Sequence, residues 1–280
     1  MRYSLMSGAG NLFVVIDGFS QDLPRDPAAL ARAVCAVGGG PGVPAGVEPR
    51  PDGLILVRAS LRGAGCAMEI YNADGSRPET CGNGLRCAAK LAAELGRVDR
   101  DEFTVETDAG VRGAHVEWKG GRVVSARVAM GRARILAADE EVVLSADSMR
   151  GAIVDVGNPH FVILVDDERA SRVGEWGPAI ASHARFPSGT NVEFLARRSE
   201  GLHLRVWERG VGETRACGSG ACAAAVVAER RGLARWPVRL DLPGGTLEVD
   251  SDRNGELTLS GPVEEIRTDV WVEESAGRPR

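Results

Sequence analysis

Lysine is nearly missing from this chain. Of its 34 basic residues only Lys90 and Lys119 are lysines, which leaves few candidates for a Schiff base to pyridoxal phosphate. Long apolar runs are missing from the start as well: Met1-Arg2-Tyr3-Ser4-Leu5-Met6-Ser7-Gly8-Ala9-Gly10 breaks into glycines before any stretch long enough for a signal peptide or a membrane helix, so a cytoplasmic protein is expected. The six cysteines (Cys35, Cys66, Cys81, Cys87, Cys217, Cys222) contain no C-x-x-C pair and no zinc-site spacing, and six thiols in 280 residues are not a disulfide scaffold. Reduced thiols and no metal are the expectation. A surplus of positive charge is missing too: a net charge of -5 with 44% hydrophobic residues argues against disorder, a nucleic-acid footprint and a polybasic membrane surface. The partner expected is a small molecule.

What is present is a chain long enough for two compact halves. Short β-type runs recur at Phe13 to Ile16, Leu54 to Arg58, Phe103 to Glu106, Val123 to Val128, Phe161 to Val165, Leu202 to Trp207, Val238 to Leu242 and Leu247 to Val249. Several alternate apolar and polar residues, as antiparallel strands with one buried face do. Asp26-Pro27 predicts a helix start, with Gly38 as its stop. Two further helices follow Cys81-Gly82-Asn83-Gly84 and Cys217-Gly218-Ser219-Gly220 and close at Gly96 and Gly232. The first carries one apolar stripe, Leu85, Ala88, Ala89, Ala92 and Leu95; the second is apolar all round, as a buried central helix is.

The sequence also repeats itself. Cys81-Gly82-Asn83-Gly84 recurs as Cys217-Gly218-Ser219-Gly220, and Gly10-Asn11-Leu12-Phe13-Val14 recurs as Gly157-Asn158-Pro159-His160-Phe161-Val162. Two matched pairs in the same order indicate homologous halves, with a boundary near Arg122 to Gly131. The division expected is 1–123, with 264–280 returning to it, and 124–263.

A thiol at a helix N-terminus feels the positive end of the helix dipole, so its thiolate is favoured and can serve as a base. Glycines beside it leave first-turn N–H groups accessible to a carboxylate. Two such units facing one substrate α-carbon would let one cysteine remove its proton while the other protonates the opposite face, inverting the centre without a cofactor. Cys87 and Cys222, one to two turns into their helices, are assigned to the core. Two other classes compete. A cysteine hydrolase would need a histidine base, and of four histidines only His160 lies in a glycine-rich turn; a redox-responsive binding protein would pair Cys81 with Cys217.

Asn72-Ala73-Asp74-Gly75-Ser76, the two Cys-Gly-x-Gly segments, Gly157-Asn158-Pro159-His160, Thr190-Asn191-Val192-Glu193-Phe194 and Glu208-Arg209-Gly210-Val211-Gly212-Glu213-Thr214 together resemble the diaminopimelate epimerase family along almost the whole chain. The resemblance implies an α/β (α+β) fold of two homologous, pseudo-twofold-related domains, each an antiparallel sheet curved around a central helix, with the site in the cleft between them. It implies a homodimer that interconverts LL- and meso-2,6-diaminopimelate for lysine and peptidoglycan precursor synthesis, with no cofactor. By the same resemblance Cys81 and Cys217 are the acid/base pair, and Gly82, Asn83, Gly218 and Ser219 hold the reacting carboxylate. Asn11, Asn72, Asn158, Asn191 and Arg209 bind the remaining polar groups, Glu208 accepts from the distal ammonium, and His160 and Glu208 tune the cysteines. The chain departs from the family pattern at Ser7 and Leu12, where the family has histidine and aspartate, at Gly53, where it often has glutamine, and at Ser219, where it usually has threonine. The closest rival is a related cofactor-independent racemase of the proline or histidine type.

Overall fold

The computed structural model describes residues 1–36, 50–78, 81–145 and 147–270; Gly38, the expected helix stop, and residues 271–280 of the expected returning segment lie outside them. The chain divides into two compact units, Met1–Ala126 with Val263–Arg280, and Arg127–Pro262.

The first unit runs β1 (Arg2–Gly8), β2 (Asn11–Asp17), α1 (Pro27–Val34), β3 (Gly53–Arg58), β4 (Cys66–Asn72), α2 (Gly82–Glu94), β5 (Glu102–Thr107) and β6 (Gly110–Lys119), and then enters β7 (Arg122–Arg132). The second runs β8 (Arg134–Val143), β9 (Ser148–Asp155), β10 (Pro159–Val165), α3 (Val173–Ala181), β11 (Asn191–Arg198), β12 (Gly201–Glu208), β13 (Gly212–Thr214), α4 (Gly218–Arg230), β14 (Val238–Leu242), β15 (Gly245–Ser251) and β16 (Glu256–Pro262). The last strand, β17 (Glu264–Val270), pairs antiparallel with β1. Ladders connect β17-β1-β2-β3-β4-β5-β6 in one unit. In the other they connect β8-β9-β10-β11-β12-β14-β15-β16, with β13 on β12. Each unit therefore repeats one order of elements, as the internal sequence repeat requires.

The sheets are mixed. β2–β3, β4–β5, β10–β11 and β12–β14 are parallel, because each of these connections contains a helix that carries the chain back to the end where it started. Helices on both faces explain why β2 and β10 read as continuous apolar runs: Val14, Val15, Ile16, Phe161, Val162 and Ile163 are all buried. Full burial of each such side chain contributes about 1.5–3 kcal/mol. On one face α1 packs Ala31 and Val34 against Leu5, Val14, Ile16, Leu54 and Leu56. α3 does the same with Val173 and Ile180 against Phe161, Phe194 and Val192. That packing holds a helix whose sequence, with Gly174, Gly177 and Pro178, gives it little intrinsic propensity.

On the other face lie α2 and α4. α4 is buried from Gly218 through Ala225, as its all-apolar sequence predicts. α2 departs from the expected stripe: Gly82 through Ala93 are all buried, Arg86 and Lys90 included, whereas Leu95 is exposed. β1–β4 and β6 surround α2 on its remaining sides, so charged positions have to be accommodated internally. Lys90 Nζ donates to Glu94 Oε1 and to the Val123 carbonyl, each at 2.6 Å. One of the two lysines is thus a structural cation.

Candidate active site

The hairpin turns come first, because they place two of the asparagines. β1 and β2 are joined by Ala9 and Gly10, both in the left-handed region (φ 56 and 87), the two-residue connection whose twist suits a hairpin. Ser7 Oγ accepts from the Gly10 N–H at 3.0 Å, and Leu12 packs on the core around α1. Two of the departures from the family pattern therefore serve the hairpin and the core. The turn delivers Asn11 to the start of α2, where its Oδ1 accepts from Asn83 Nδ2. β1 approaches α2 so closely that a Cβ on Gly8 would lie 2.7 Å from the Asn83 carbonyl oxygen. Asp52, not anticipated from the sequence, accepts from the Leu12 N–H at 2.8 Å and from Asn11 Nδ2 at 3.4 Å.

Cys81 is the N-cap of α2: its backbone is extended (φ -141, ψ 92) and its Sγ accepts from the Gly84 N–H at 3.3 Å. Cys217 caps α4 in the same way, with φ -128 and ψ 116 and the Gly220 N–H at 3.4 Å. A sulfur takes the place that a serine or aspartate oxygen usually fills. The N–H groups of a helical first turn have no carbonyl one turn back to bond, so each start is a ready anion-binding position. Cys87 and Cys222 are fully buried, and burial pushes the Cys87 thiol up to about 12.

Around Cys217 the second unit builds a connected polar set. Cys217 Sγ lies 3.6 Å from Ser219 Oγ, which accepts from Asn158 Nδ2 at 3.3 Å. Asn158 Oδ1 lies 2.9 Å from His160 Nε2, and His160 Nδ1 lies 2.7 Å from Glu193 Oε1. The Glu208 carboxylate accepts from Thr214 Oγ1, and its charge acts on the Cys217 thiol. Asn191 Nδ2 donates to the Pro159 carbonyl, and its Oδ1 accepts from the Arg209 N–H, each at 2.9 Å. The Arg209 guanidinium donates to the Ser188 carbonyl. Asn72, by contrast, bonds Ser76 Oγ at 3.0 Å within the turn after β4.

One sequence expectation is corrected here. The Cys217 thiol is pushed well above its ordinary value, first by burial, then by the Glu208 and Glu193 carboxylates; the Ser219 hydroxyl and the Gly220 N–H oppose this without overcoming it. The helix start alone does not make Cys217 a thiolate. Burial likewise raises the Glu208 carboxyl, against the pull of Thr214, Cys217 and His160. Glu193 and Thr214 were not anticipated as site residues. The signal available for Glu193 was a carboxylate inside the apolar run Val192-Glu193-Phe194-Leu195, which has to find a partner when the strand is buried.

Comparison with known proteins agrees with this architecture. The chain superimposes on a hydroxyproline epimerase from Agrobacterium vitis with TM-score 0.72 at 17% identity, covering 98% of this chain and 93% of that one. It superimposes equally on a predicted epimerase from Pseudomonas aeruginosa, with TM-score 0.72 at 19% identity over 98% and 99%. At such identities the likeness concerns the fold. In sequence it is 40% identical to the diaminopimelate epimerase of Moorella thermoacetica, over 95% of this chain and 97% of that protein. It is 35% identical to that of Bacillus subtilis, over 96% and 98%. The profile of the diaminopimelate epimerase family matches residues 3–136 and 152–266, and the chain belongs to that family.

Proposed function

We propose that the protein is an isomerase that interconverts LL- and meso-2,6-diaminopimelate, using Cys81 and Cys217 as its acid/base pair and no cofactor. The observation that carries this reading is the duplicated cap: two cysteines, each the N-cap of a Cys-Gly-x-Gly helix, each with its sulfur on the N–H three residues on. Curated relatives named diaminopimelate epimerase at 35–40% identity support the substrate.

In the reaction the cysteine present as thiolate takes the α-proton, leaving an electron pair that delocalises into the carboxylate. The first-turn N–H groups at Gly82, Asn83, Gly218 and Ser219 stabilise the charge that develops there. The other cysteine, as thiol, gives its proton to the opposite face, and the two exchange protonation states with each turnover. Cys217, held protonated by burial and by Glu208, is suited to be the donor in one of the two resting forms. Asn158 and Asn191 offer amides, Arg209 a guanidinium and Asn72 and Asn11 further amides for the second amino-acid end. By the family resemblance His160 and Glu208 tune the cysteines, and the Glu208 carboxylate acts on Cys217.

The product serves lysine and peptidoglycan synthesis in this reading, and the working form is a cytoplasmic homodimer. Among the described residues no helix is long and apolar enough to cross a membrane. The test is proton NMR of LL-diaminopimelate incubated with the protein after dialysis against chelators and carbonyl reagents. Appearance of the meso isomer is the expected result. Activity restored only by a metal ion or pyridoxal phosphate, or turnover of proline or histidine in its place, overturns the reading.

A further inference from the structure

Thr214 ends β13, three residues before Cys217 in the chain. A tight hairpin brings it to the site. The Val211 N–H donates to the Glu208 carbonyl at 3.2 Å, and Gly210 and Gly212 take left-handed values (φ 77 and 111) that a side chain would strain. β13 therefore runs back along β12, with Thr214 opposite Val206 and Gly212 opposite Glu208. Opposite residues share a face, and so do alternate residues of one strand, which makes Thr214 and Glu208 diagonal neighbours on one side of the ladder. Thr214 Oγ1 lies 2.5 Å from Glu208 Oε1, whereas Glu213, on the other face, pairs with Arg205 at 2.7 Å.

We propose that Thr214 is a positioning residue of this site: its hydroxyl anchors the Glu208 side chain on the hairpin, where the carboxylate acts on Cys217. The inference rests on the assignment of Glu208 to the site made above. The contact anchors the side chain whichever of the two oxygens carries the proton, because a hydroxyl both donates and accepts. The surroundings of Glu208 show what the anchor opposes. The side chain is partly buried and interacts with Cys217 at the cap of α4, His160 on β10 and Glu193 on β11. Burial raises its carboxyl above the ordinary value; the Thr214 hydroxyl is the strongest influence lowering it, ahead of Cys217 and His160, and Glu193 raises it further. A hydrogen bond to the ionised form favours that form.

A threonine also suits a strand by its shape alone, and three substitutions separate the two roles. Thr214→Val keeps the branched shape and removes the hydroxyl, whereas Thr214→Ser keeps the hydroxyl and removes the methyl group. Glu213→Gln, on the other face of the same short strand, weakens the pairing with Arg205 and leaves the Glu208 contact in place. It reports what weaker hairpin support does by itself.

The test is carboxyl NMR of the full-length protein labelled in its glutamates, with the Glu208 signal assigned through Glu208→Gln, paired with epimerase kinetics. Thr214→Val should move the Glu208 titration upward by about one pH unit, because losing a hydrogen bond to the ionised form favours the neutral one. It should also lower kcat/KM for LL-diaminopimelate about 10-fold, with the acid limb of the pH profile moved in the same direction. Thr214→Ser should recover most of both effects, and Glu213→Gln should produce neither. An unmoved Glu208 titration in Thr214→Val, or equal losses in Thr214→Val and Thr214→Ser, overturns the assignment. Should Thr214→Val fail to fold, Thr214→Ala removes the same hydroxyl and is read in the same way. A raised Glu208 titration in Thr214→Val, in a protein whose wild type leaves diaminopimelate untouched, would support the role of Thr214 and remove the function proposed above.

Discussion

The two helix starts are the same piece of local structure in different company. Cys81 and Cys217 share an extended cap conformation, a sulfur accepting from the third following N–H and a glycine at that position. At α2 the thiol is half-buried, and the Asn11 and Asn83 amides bond one another at the same helix start. At α4 the thiol is buried and within reach of the charges of Glu208 and Glu193. The motif sets where each sulfur sits; the strands around it set which proton it carries. Inversion by two bases needs this kind of asymmetry, because one thiol must be charged and the other neutral when substrate binds.

The comparison can be broken most severely by removing either sulfur. Cys81→Ala and Cys217→Ala should each reduce turnover on the order of 1,000-fold or more, since acid and base are both required in every cycle. Substantial activity in either variant would show that one start suffices. The next largest effect is expected of Arg209→Ala, which should cost about 1.5–3 kcal/mol in kcat/KM for diaminopimelate if the guanidinium binds the distal carboxylate. Near-normal kinetics would return Arg209 to its bond with Ser188.

A subtler comparison uses the two glycines at the third helical position. A Cβ on Gly220 meets Glu193 Oε1 at 2.8 Å, whereas one on Gly84 meets Ile70 Cδ1 at 2.9 Å and Ile55 Cδ1 at 3.1 Å. Isoleucine methyls can rotate aside, but a carboxylate tied to His160 cannot. Gly220→Ala should therefore destabilise more than Gly84→Ala, within the range of about 1–3 kcal/mol for overpacking, as read by denaturant unfolding. Equal costs would mean that the carboxylate moves freely. The smallest effect is kinetic: alkylation of Cys217, followed by mass spectrometry, should stay slow at neutral pH. It should rise only above the ordinary thiol value of about 8.5, because burial and two carboxylates keep the reactive thiolate scarce. Rapid modification near neutrality would contradict the buried, acid-flanked site.

Features set by near neighbours in sequence were legible before the fold was known. The caps at Asp26, Cys81 and Cys217, the glycines that end α2 and α4, and strands such as Phe161 to Val165 all follow from residues within one turn or one alternation. Features set by distant partners were not. The parallel ladders depend on helices crossing between strands, and the burial of Arg86 and Lys90 depends on strands closing around α2. The raised thiol of Cys217 depends on Glu208 and Glu193, 9 and 24 residues away in the chain. Glu193 itself reads as an anomaly in an apolar strand until His160 is seen opposite it. The helix dipole was the correct local influence at Cys217, and it was outweighed by desolvation.

The central claim, that one thiol from each helix start acts on a single α-carbon, is tested most directly by the first few per cent of turnover in deuterium oxide. The account predicts that product from LL-diaminopimelate carries deuterium at the inverted carbon while unreacted substrate stays protonated, because the proton removed and the deuteron delivered sit on different sulfurs. Early product that retains the substrate's own hydrogen, or exchange of both pools at equal rates, would contradict it and point to a single shared base.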